Sequence, residues 1–190
     1  NVVVSAVDLF SSGYKPDRAK IFYEQMLERI RALPGVQSVA LARVRPFSYA
    51  VYSSAPLEIE GYQPPRNEQV TAEYNQVGEG YFTTIGIPIV AGREFTRNDD
   101  ENAPPVAIVN ETMAAKYWPG KDLVGQRLKV KDKWTEIVGV AKNANYRTKL
   151  EQSTPFFYVP VRQNFFVQNN IIIRTEQSPA AIRNALAREV

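Results

Sequence analysis

The sequence contains neither cysteine nor histidine among its 190 residues. Without cysteine there is no disulfide and no thiol nucleophile, and without histidine most catalytic triads cannot form. Zinc sites of the usual kind need the same two residue types, so they are excluded as well. These absences favour a protein without a catalytic site and without a metal or other cofactor.

Long apolar runs and a strong charge surplus are also missing. No apolar run exceeds about five residues, whereas a membrane-spanning helix needs roughly 20. The 23 basic and 20 acidic residues leave a formal net charge of +3, which is too small and scattered to indicate nucleic acid as a partner. We therefore expect no membrane span and no signal peptide. Because both ends run into regular elements, we expect a piece of a larger protein.

The composition that remains is that of a folded domain. Hydrophobic residues make up 44% and charged residues 23% of the chain, which is ordinary for a globular protein and unlike a disordered one. At this length one domain or two small lobes can form.

The first part of the chain predicts a βαβ unit. Residues 2–9 form a β-branched strand, and Pro16 with Asp17 begins a helix. Pro34-Gly35 ends the helix, and residues 36–44 supply a second strand. The apolar positions of the helix form one stripe, which we expect to pack on a sheet; they are Ala19, Phe22, Tyr23, Met26, Leu27, Ile30 and Leu33.

The end of the chain repeats this pattern. Residues 156–161 and 170–175 are predicted strands, and Ser178 is a good N-cap for a following helix. Ile182, Leu186 and Val190 fall four residues apart on one face of that helix. We therefore expect one lobe built from both chain ends.

The middle third is predicted to be richer in β structure. Residues 79–86 suggest one or two helical turns closed by Gly86, and residues 106–109 suggest a buried strand leading into a helix that ends at Trp118. Residues 128–130 and 135–140 read as a hairpin. The expected fold is α+β, with a β-rich lobe inserted into the βαβ lobe.

One segment, residues 45–68, is rich in proline and aromatic residues. Rigid aromatic side chains offer contact area at little entropic cost, so we consider this loop a candidate partner contact through four residues: Phe47, Tyr49, Tyr52 and Tyr62. The alternative is that the tyrosines cover a sheet edge.

Other candidate motifs favour structural roles. Gly78-Glu79-Gly80 and Gly120-Lys121 lack the further residues of nucleotide-binding loops. The acidic run 99–101 lacks the spacing of a calcium loop. Arg93 and the pair Asn110-Glu111 are harder to explain by solvation, and ion pairing or turn capping is the favoured interpretation.

An ordered series of short motifs in residues 78–161 resembles the periplasmic core domain of MacB/FtsX-type ABC transporter permeases. The series is Tyr81-Phe82-x-x-Ile85-Gly86-Ile87, Ala91-Gly92-Arg93-x-Phe95-Thr96 with Asp99 or Asp100, Val106 to Glu111, Trp118-Pro119-Gly120, Gly125-x-x-Leu128 and Glu136 to Val140. No single motif is specific, and the likeness rests on their order and spacing.

The resemblance implies an architecture that agrees with the pattern above. It implies a split porter-like α+β lobe from residues 1–76 and 154–190, with a sabre-like lobe inserted at residues 77–153. In that family the domain lies outside the cytoplasmic membrane, between two transmembrane helices of an inner-membrane permease.

The resemblance also implies a function. Such a domain would transmit movement driven by a cytoplasmic nucleotide-binding subunit or domain to export, or to the handling of lipoproteins or other partners. An adaptor protein is an implied partner, and the full permease is expected to be a homodimer while this piece alone is a monomer. An extracytoplasmic module that binds a small molecule or peptide is the alternative, and a hydrolase is a third.

Overall fold

The computed structural model describes residues 1–45, 52–65, 68–146, 152–182 and 185. Its fold is α+β and consists mostly of strands, which confirms the predicted class. The elements of the described ranges are β1 (Val2–Asp8), α1 (Pro16–Arg31), β2 (Val36–Ala42), β3 (Ser53–Ile59), β4 (Thr71–Val77), α2 (Tyr81–Ile85), β5 (Ile89–Gly92), β6 (Val106–Asn110), α3 (Glu111–Tyr117), β7 (Arg127–Val130), β8 (Lys133–Ala141), β9 (Phe156–Pro160) and β10 (Gln168–Thr175).

Six strands pair in a closed cycle, which we call the ring. Strand β4 pairs with β3, β3 with β7, and β7 with β8. Strand β8 then pairs with β6, β6 with β9, and β9 returns to β4. The β6–β8 and β4–β9 pairings are parallel and the other four are antiparallel. Closure of this kind removes free strand edges, as in small β-barrels.

Alternating side chains fill the inside of the ring. In β3, Ala55, Leu57 and Ile59 are buried while the residues between them are exposed, as the two-residue period of a strand dictates. Leu128 and Ile137 join them from β7 and β8. The seven-residue helix α3 adds Met113 to the same cluster, so it packs against the ring.

Outside the ring, three strands and one helix form what we call the flanking sheet. Its strands lie in the order β1, β10, β2 and are antiparallel. Helix α1 packs on them through Ala19, Tyr23, Met26 and Ile30, which are all buried. The predicted apolar stripe of α1 is therefore confirmed as core.

The end of the chain follows the predicted pattern as far as it is described. Residues 179–182 are helical, and the Ser178 hydroxyl accepts from the backbone N–H of Ala181 at 3.3 Å. Leu186 and Val190 of the predicted helical face lie outside the described residues. None of the described helices combines the length and apolar character needed to cross a membrane.

One of the two predicted lobe boundaries falls within a paired strand: residue 76 lies in β4, whereas residue 154 lies just before β9. Strands β3, β4 and β9 were assigned to the lobe built from the chain ends, yet all three belong to the ring. The division at residues 76 and 154 stays a prediction, and the strand pairing favours a central unit that begins at β3 and ends at β9.

Candidate functional site: the junction between ring and flanking sheet

The ring and the flanking sheet meet along a short line of contacts, which we call the junction. Strands β2 and β4 share a single registered pair, Ala42 with Val77. Two backbone hydrogen bonds flank it: Arg43 N–H donates to the Gln76 carbonyl at 2.9 Å, and Gly78 N–H donates to the Leu41 carbonyl at 2.8 Å. Because this ladder is so short, side chains must supply much of the connection.

A buried amide extends the ladder beyond the end of β2. The Asn75 side chain accepts from the Val44 N–H at 3.1 Å and donates to the Val44 carbonyl at 2.8 Å. Asn75 is only 2% exposed. Its amide makes the two hydrogen bonds that a neighbouring strand would make to the backbone of Val44. Buried backbone groups need such partners.

Helix α2 ties the ring to β10. The Arg174 guanidinium of β10 donates from Nε to the Thr84 carbonyl at 2.9 Å, near the C-terminal end of α2, where a positive charge is favourable. Gly86 ends this helix at φ 83°, and a Cβ there would lie 2.9 Å from Nη2 of Arg174. The backbone angle is what favours glycine here, since the guanidinium is the end of a flexible side chain.

The loop of residues 93–102 begins with a tight internal ion pair. Arg93 Nη1 and Nη2 reach the two carboxylate oxygens of Asp99 at 2.7 and 2.8 Å, and the Thr96 N–H donates to Asp99 at 2.7 Å. Burial alone would raise the pKa of Asp99, but the hydrogen bonds from Arg93 and Thr96 outweigh it and hold the pKa below its usual range. Ion pairing, the favoured interpretation of Arg93, is confirmed.

The next residue of the loop caps α2. Glu94 accepts from the Phe82 N–H at 2.7 Å and from the Thr83 hydroxyl at 3.0 Å. A carboxylate at this end of a helix satisfies free N–H groups and suits the helix dipole. The loop and α2 are thus held together as one piece.

Two glycines let the start of this loop lie directly on β8. A Cβ on Gly92 would be 2.2 Å from the Val138 carbonyl oxygen, and one on Gly139 would be 2.4 Å from the Arg93 carbonyl oxygen. No side chain fits at either position. This contact explains why both glycines stand in the motif series.

Ion pairs connect the junction to α1. Glu79, just before α2, meets Arg31 of α1 at 3.2 Å and Arg97 of the loop at 3.1 Å. Lys20 of α1 pairs with Glu101 of the loop. Exposed pairs of this kind are worth about 0–1 kcal/mol each, so they guide the docking of α1 more than they stabilise the fold.

A groove of about 330 Å³ lies between α1 and this loop. Leu27, Leu41 and Phe165 supply apolar walls, while Glu24 and Arg162, which pair at 2.9 Å, stand at its rim. Ligand sites usually occupy about 300–1,000 Å³, so the groove reaches the lower end of that range.

Buried aromatic rings lie beneath the junction. Tyr158 donates to the Tyr146 hydroxyl at 3.0 Å, and Tyr146 stacks on Phe156 with 3.9 Å between ring centroids. Burial raises the pKa of Tyr158 and of Tyr81, so both hydroxyls stay protonated and act as hydrogen-bonding core groups.

The candidate partner residues of the aromatic loop have different positions. Tyr52 is 2% exposed and lies 5.2 Å from the Phe156 ring centroid, which corrects the expectation that its ring faces a partner: it packs in the core. Tyr62 is half-buried and packs edge-on against Tyr117 at 5.2 Å. Phe47 and Tyr49 lie outside the described residues, and their role in partner contact stays a prediction.

Asn110 caps α3, and Glu111 lies beside it at the start of that helix. The Asn110 side chain accepts from the Met113 N–H at 2.9 Å and donates to the Thr154 carbonyl at 2.8 Å. Glu111 accepts from the Asn143 N–H at 2.9 Å. The capping interpretation is confirmed. No group of three acidic side chains placed to hold a metal occurs among the residues that the structure describes.

Several junction residues carry no signal in the sequence. Asn75 lies in a strand with alternating polar residues, and the sequence pattern predicts that such a residue faces solvent. Glu79 lies between two glycines, where the pattern predicts an ordinary turn residue. Arg174 lies near the end of a predicted strand, where nothing local indicates a contact with α2. Each acts on a partner distant in the chain, 31 residues away for Asn75 and 90 for Arg174, so local spacing could not reveal it.

The motif series therefore marks a real structural unit: α2, the 93–102 loop and the strand on which they rest. A sequence model of the MacB-like periplasmic core domain matches residues 2–189. The chain belongs to this family. It has the periplasmic core domain of MacB-like ABC transporter permeases.

Curated relatives match part of this domain. It is 28% identical over 124 residues to the macrolide export ATP-binding/permease protein MacB of Sodalis glossinidius, covering 64% of this chain and 18% of that protein. It is 29% identical over 77 residues to MacB of Neisseria gonorrhoeae, covering 40% of this chain and 12% of the relative. An uncharacterised ABC transporter permease of Bacillus subtilis, YvrN, is 24% identical over 110 residues, covering 54% of this chain and 27% of that protein. The chain thus spans only a small part of these proteins.

Solved structures share the fold. The periplasmic region of MacB from Actinobacillus actinomycetemcomitans gives a TM-score of 0.63 at 16% identity, covering 87% of this MacB-like domain and 71% of that chain. The extracellular domain of the YknZ transporter from Gram-positive bacteria gives a TM-score of 0.61 at 19% identity, covering 99% of this chain and 91% of that chain. The MacB-like fold is therefore present along nearly the whole chain.

Proposed function

We propose that this domain is the extracytoplasmic lever of an ABC transporter permease. ATP hydrolysis by a cytoplasmic nucleotide-binding subunit or domain moves the membrane helices, and the domain carries that movement to a substrate, a lipoprotein or an adaptor outside the membrane. The permease works as a homodimer.

The observation that carries the proposal is the construction of the junction. Strand β1 pairs with β10 along its whole length, from Val2 opposite Arg174 to Asp8 opposite Gln168. From there, β10 leads through Arg174 to α2 and through β2 to the ring. A domain that transmits force needs a stiff path of this kind.

Spin labels in the full-length permease test the proposal. These 190 residues contain no cysteine, so Val124→Cys, at an exposed position before β7, carries one label per copy once any cysteines in the rest of the permease are replaced. We expect two labelled copies to give a measurable distance distribution that shifts when ATP is bound. A distance distribution that is the same with and without ATP, while the permease still hydrolyses ATP, would refute the lever. The absence of any dipolar coupling between the two labels would refute the homodimer.

A matched pair of arginine variants then tests the path. Arg174→Ala removes the hydrogen bond from β10 to the Thr84 carbonyl of α2, and we expect it to reduce the ATP-driven shift at the label. Arg127→Ala removes an arginine that pairs with Glu60 on the ring itself, so the shift should remain. Equal behaviour of the two variants would exclude Arg174 from the path.

The groove beside α1 favours a second candidate function, the binding of a small molecule or peptide. A thermal-shift screen of small molecules and short peptides against the 190-residue chain would test it. A genuine ligand should lose its effect in Leu27→Trp, because the larger ring fills the groove. A screen in which no shift depends on Leu27 would speak against this function.

A further inference from the structure

The two-residue turn between β7 and β8 has an unusual backbone. Lys131 and Asp132 have φ values of 48° and 66°, and in the described chain they are the residues other than glycine with positive φ. Turns of this shape normally take Asn-Gly or a similar pair, because a Cβ is unfavourable there. Lysine at such a position costs stability, and retained strain of this kind is concentrated at functional sites.

Two exposed lysines of this hairpin line one cavity. The cavity has a volume of about 180 Å³, and Lys131 and Lys133 both line it. Lys131 Nζ also lies 5.7 Å from the centroid of the Tyr74 ring, which forms part of the same wall. Neither lysine forms an ion pair with a carboxylate in the described part of the chain, whereas the neighbouring Lys129 is paired with Glu58 at 2.9 Å.

Further polar residues line the same cavity. Asn164 is one, and its Nδ2 makes only a long 3.5 Å contact to the Pro160 carbonyl. The Thr135 hydroxyl donates to the Lys133 carbonyl at 3.2 Å and so steadies the second side of the turn. One carboxylate, that of Glu101, also lines the cavity and is paired with Lys20 of α1. Two lysines against one carboxylate leave a positive charge among the lining side chains.

We propose that this cavity binds a phosphate-class anion, held by Lys131 and Lys133 with the Asn164 amide. Lysine is an effective point-charge partner for phosphate. A phosphate carries more negative charge than a carboxylate at neutral pH, and its oxygens point in more directions, so it suits two lysines and an amide that belong to different segments. The volume is below that of pockets that enclose whole drug-sized ligands, so the site takes one charged group. The inference does not depend on the lever function.

Two titrations of the 190-residue chain test the proposal. The first uses inorganic phosphate, and binding is measured by amide NMR shifts. The second uses phosphatidylcholine vesicles with and without phosphatidic acid, and binding is measured by co-sedimentation. Saturable shifts at residues 131–135 with free phosphate would identify a soluble phosphate ligand. Binding only to vesicles that contain phosphatidic acid would identify a lipid headgroup. Failure to bind either probe would overturn the proposal.

A charge-matched pair of double variants separates this site from general attraction. The test variant combines Lys131→Gln with Lys133→Gln. The control combines Lys121→Gln with Lys142→Gln, which removes the same charge at two exposed lysines that do not line the cavity. We expect the first pair to weaken binding about tenfold or more, since it removes two charged hydrogen-bond donors, and the second to leave it nearly unchanged. Equal losses in both pairs would show non-specific attraction and sink the proposal.

Discussion

At the scale of single residues, the junction depends on polar groups that replace missing backbone partners. Asn75 serves both the N–H and the carbonyl of Val44, where strand β2 has already ended. A hydrophobic residue of similar size would fill the space and leave two buried groups without partners. The chemistry of the amide, with a donor and an acceptor on one planar group, is what the position requires.

Removal of this amide should therefore be costly. Asn75→Ala is expected to lower the free energy of unfolding by about 2–4 kcal/mol, because two buried backbone groups lose their hydrogen bonds. Urea denaturation of the 190-residue chain measures the change. The matched control is Asn98→Ala at an exposed loop position, which should stay within about 0.5 kcal/mol. Equal effects of the two changes would contradict the role given to Asn75.

The carboxylate of Asp99 makes the stability depend on pH. Its pKa is lowered in the folded chain, so the stabilisation is complete above the unfolded value of about 3.9 and is lost as the pH falls through the folded value. Asp99→Asn should therefore lower the melting temperature at neutral pH. The difference from the parent chain should then shrink as the pH falls below about 4.

Melting curves recorded between neutral and acidic pH measure this effect. Asp122→Asn is the control, because Asp122 is exposed; its curve should follow the parent at every pH. A difference between Asp99→Asn and the parent that stays constant down to the lowest pH would show that the carboxylate charge is not what stabilises the loop.

At the scale of elements, helix α1 places two isoleucines in different environments, one on its buried stripe and one outside it. Ile30 is fully buried against β2 and β10, whereas Ile21 of the same helix is 56% exposed beside the groove. The two residues have the same side chain and the same helical backbone. Comparison of the two thus separates burial from helix propensity.

Truncation of the two isoleucines should have very different effects. Ile30→Ala is expected to cost about 2–5 kcal/mol, because it removes buried methyl groups and leaves a cavity. Ile21→Ala should be nearly neutral, since alanine is a better helix former and little apolar area is lost. Denaturant unfolding of both variants gives the comparison. A large loss for Ile21→Ala would mean that this side chain is covered in solution.

At the scale of the whole molecule, the two parts of the fold share a core. The cluster beneath the junction combines Ala42 and Ile172 of the flanking sheet with Ile108 and Tyr158 of the ring. A lever made of two loosely joined parts would bend at the join. Shared packing makes the ring and the flanking sheet depend on each other for stability.

We therefore expect the chain to unfold in one cooperative transition. Both tryptophans, Trp118 and Trp134, belong to the ring region, with Trp118 buried in the ring core. Tryptophan fluorescence and far-UV circular dichroism should give the same midpoint, and Ile30→Ala in the distant helix α1 should shift both equally. A fluorescence midpoint that this variant leaves in place would show that the two parts unfold separately.

The sequence by itself determined the helices, most strands and the family. These follow from local patterns: the stripe of α1, the glycine that ends α2, the Asn110 cap and the ordered motifs around residues 81–140. The closed ring, the burial of Tyr52 and the links made by Asn75 and Arg174 were decided only by the tertiary structure. Each joins segments far apart in the chain, and pairing between distant strands depends on the packing of the whole core rather than on the spacing of neighbouring residues.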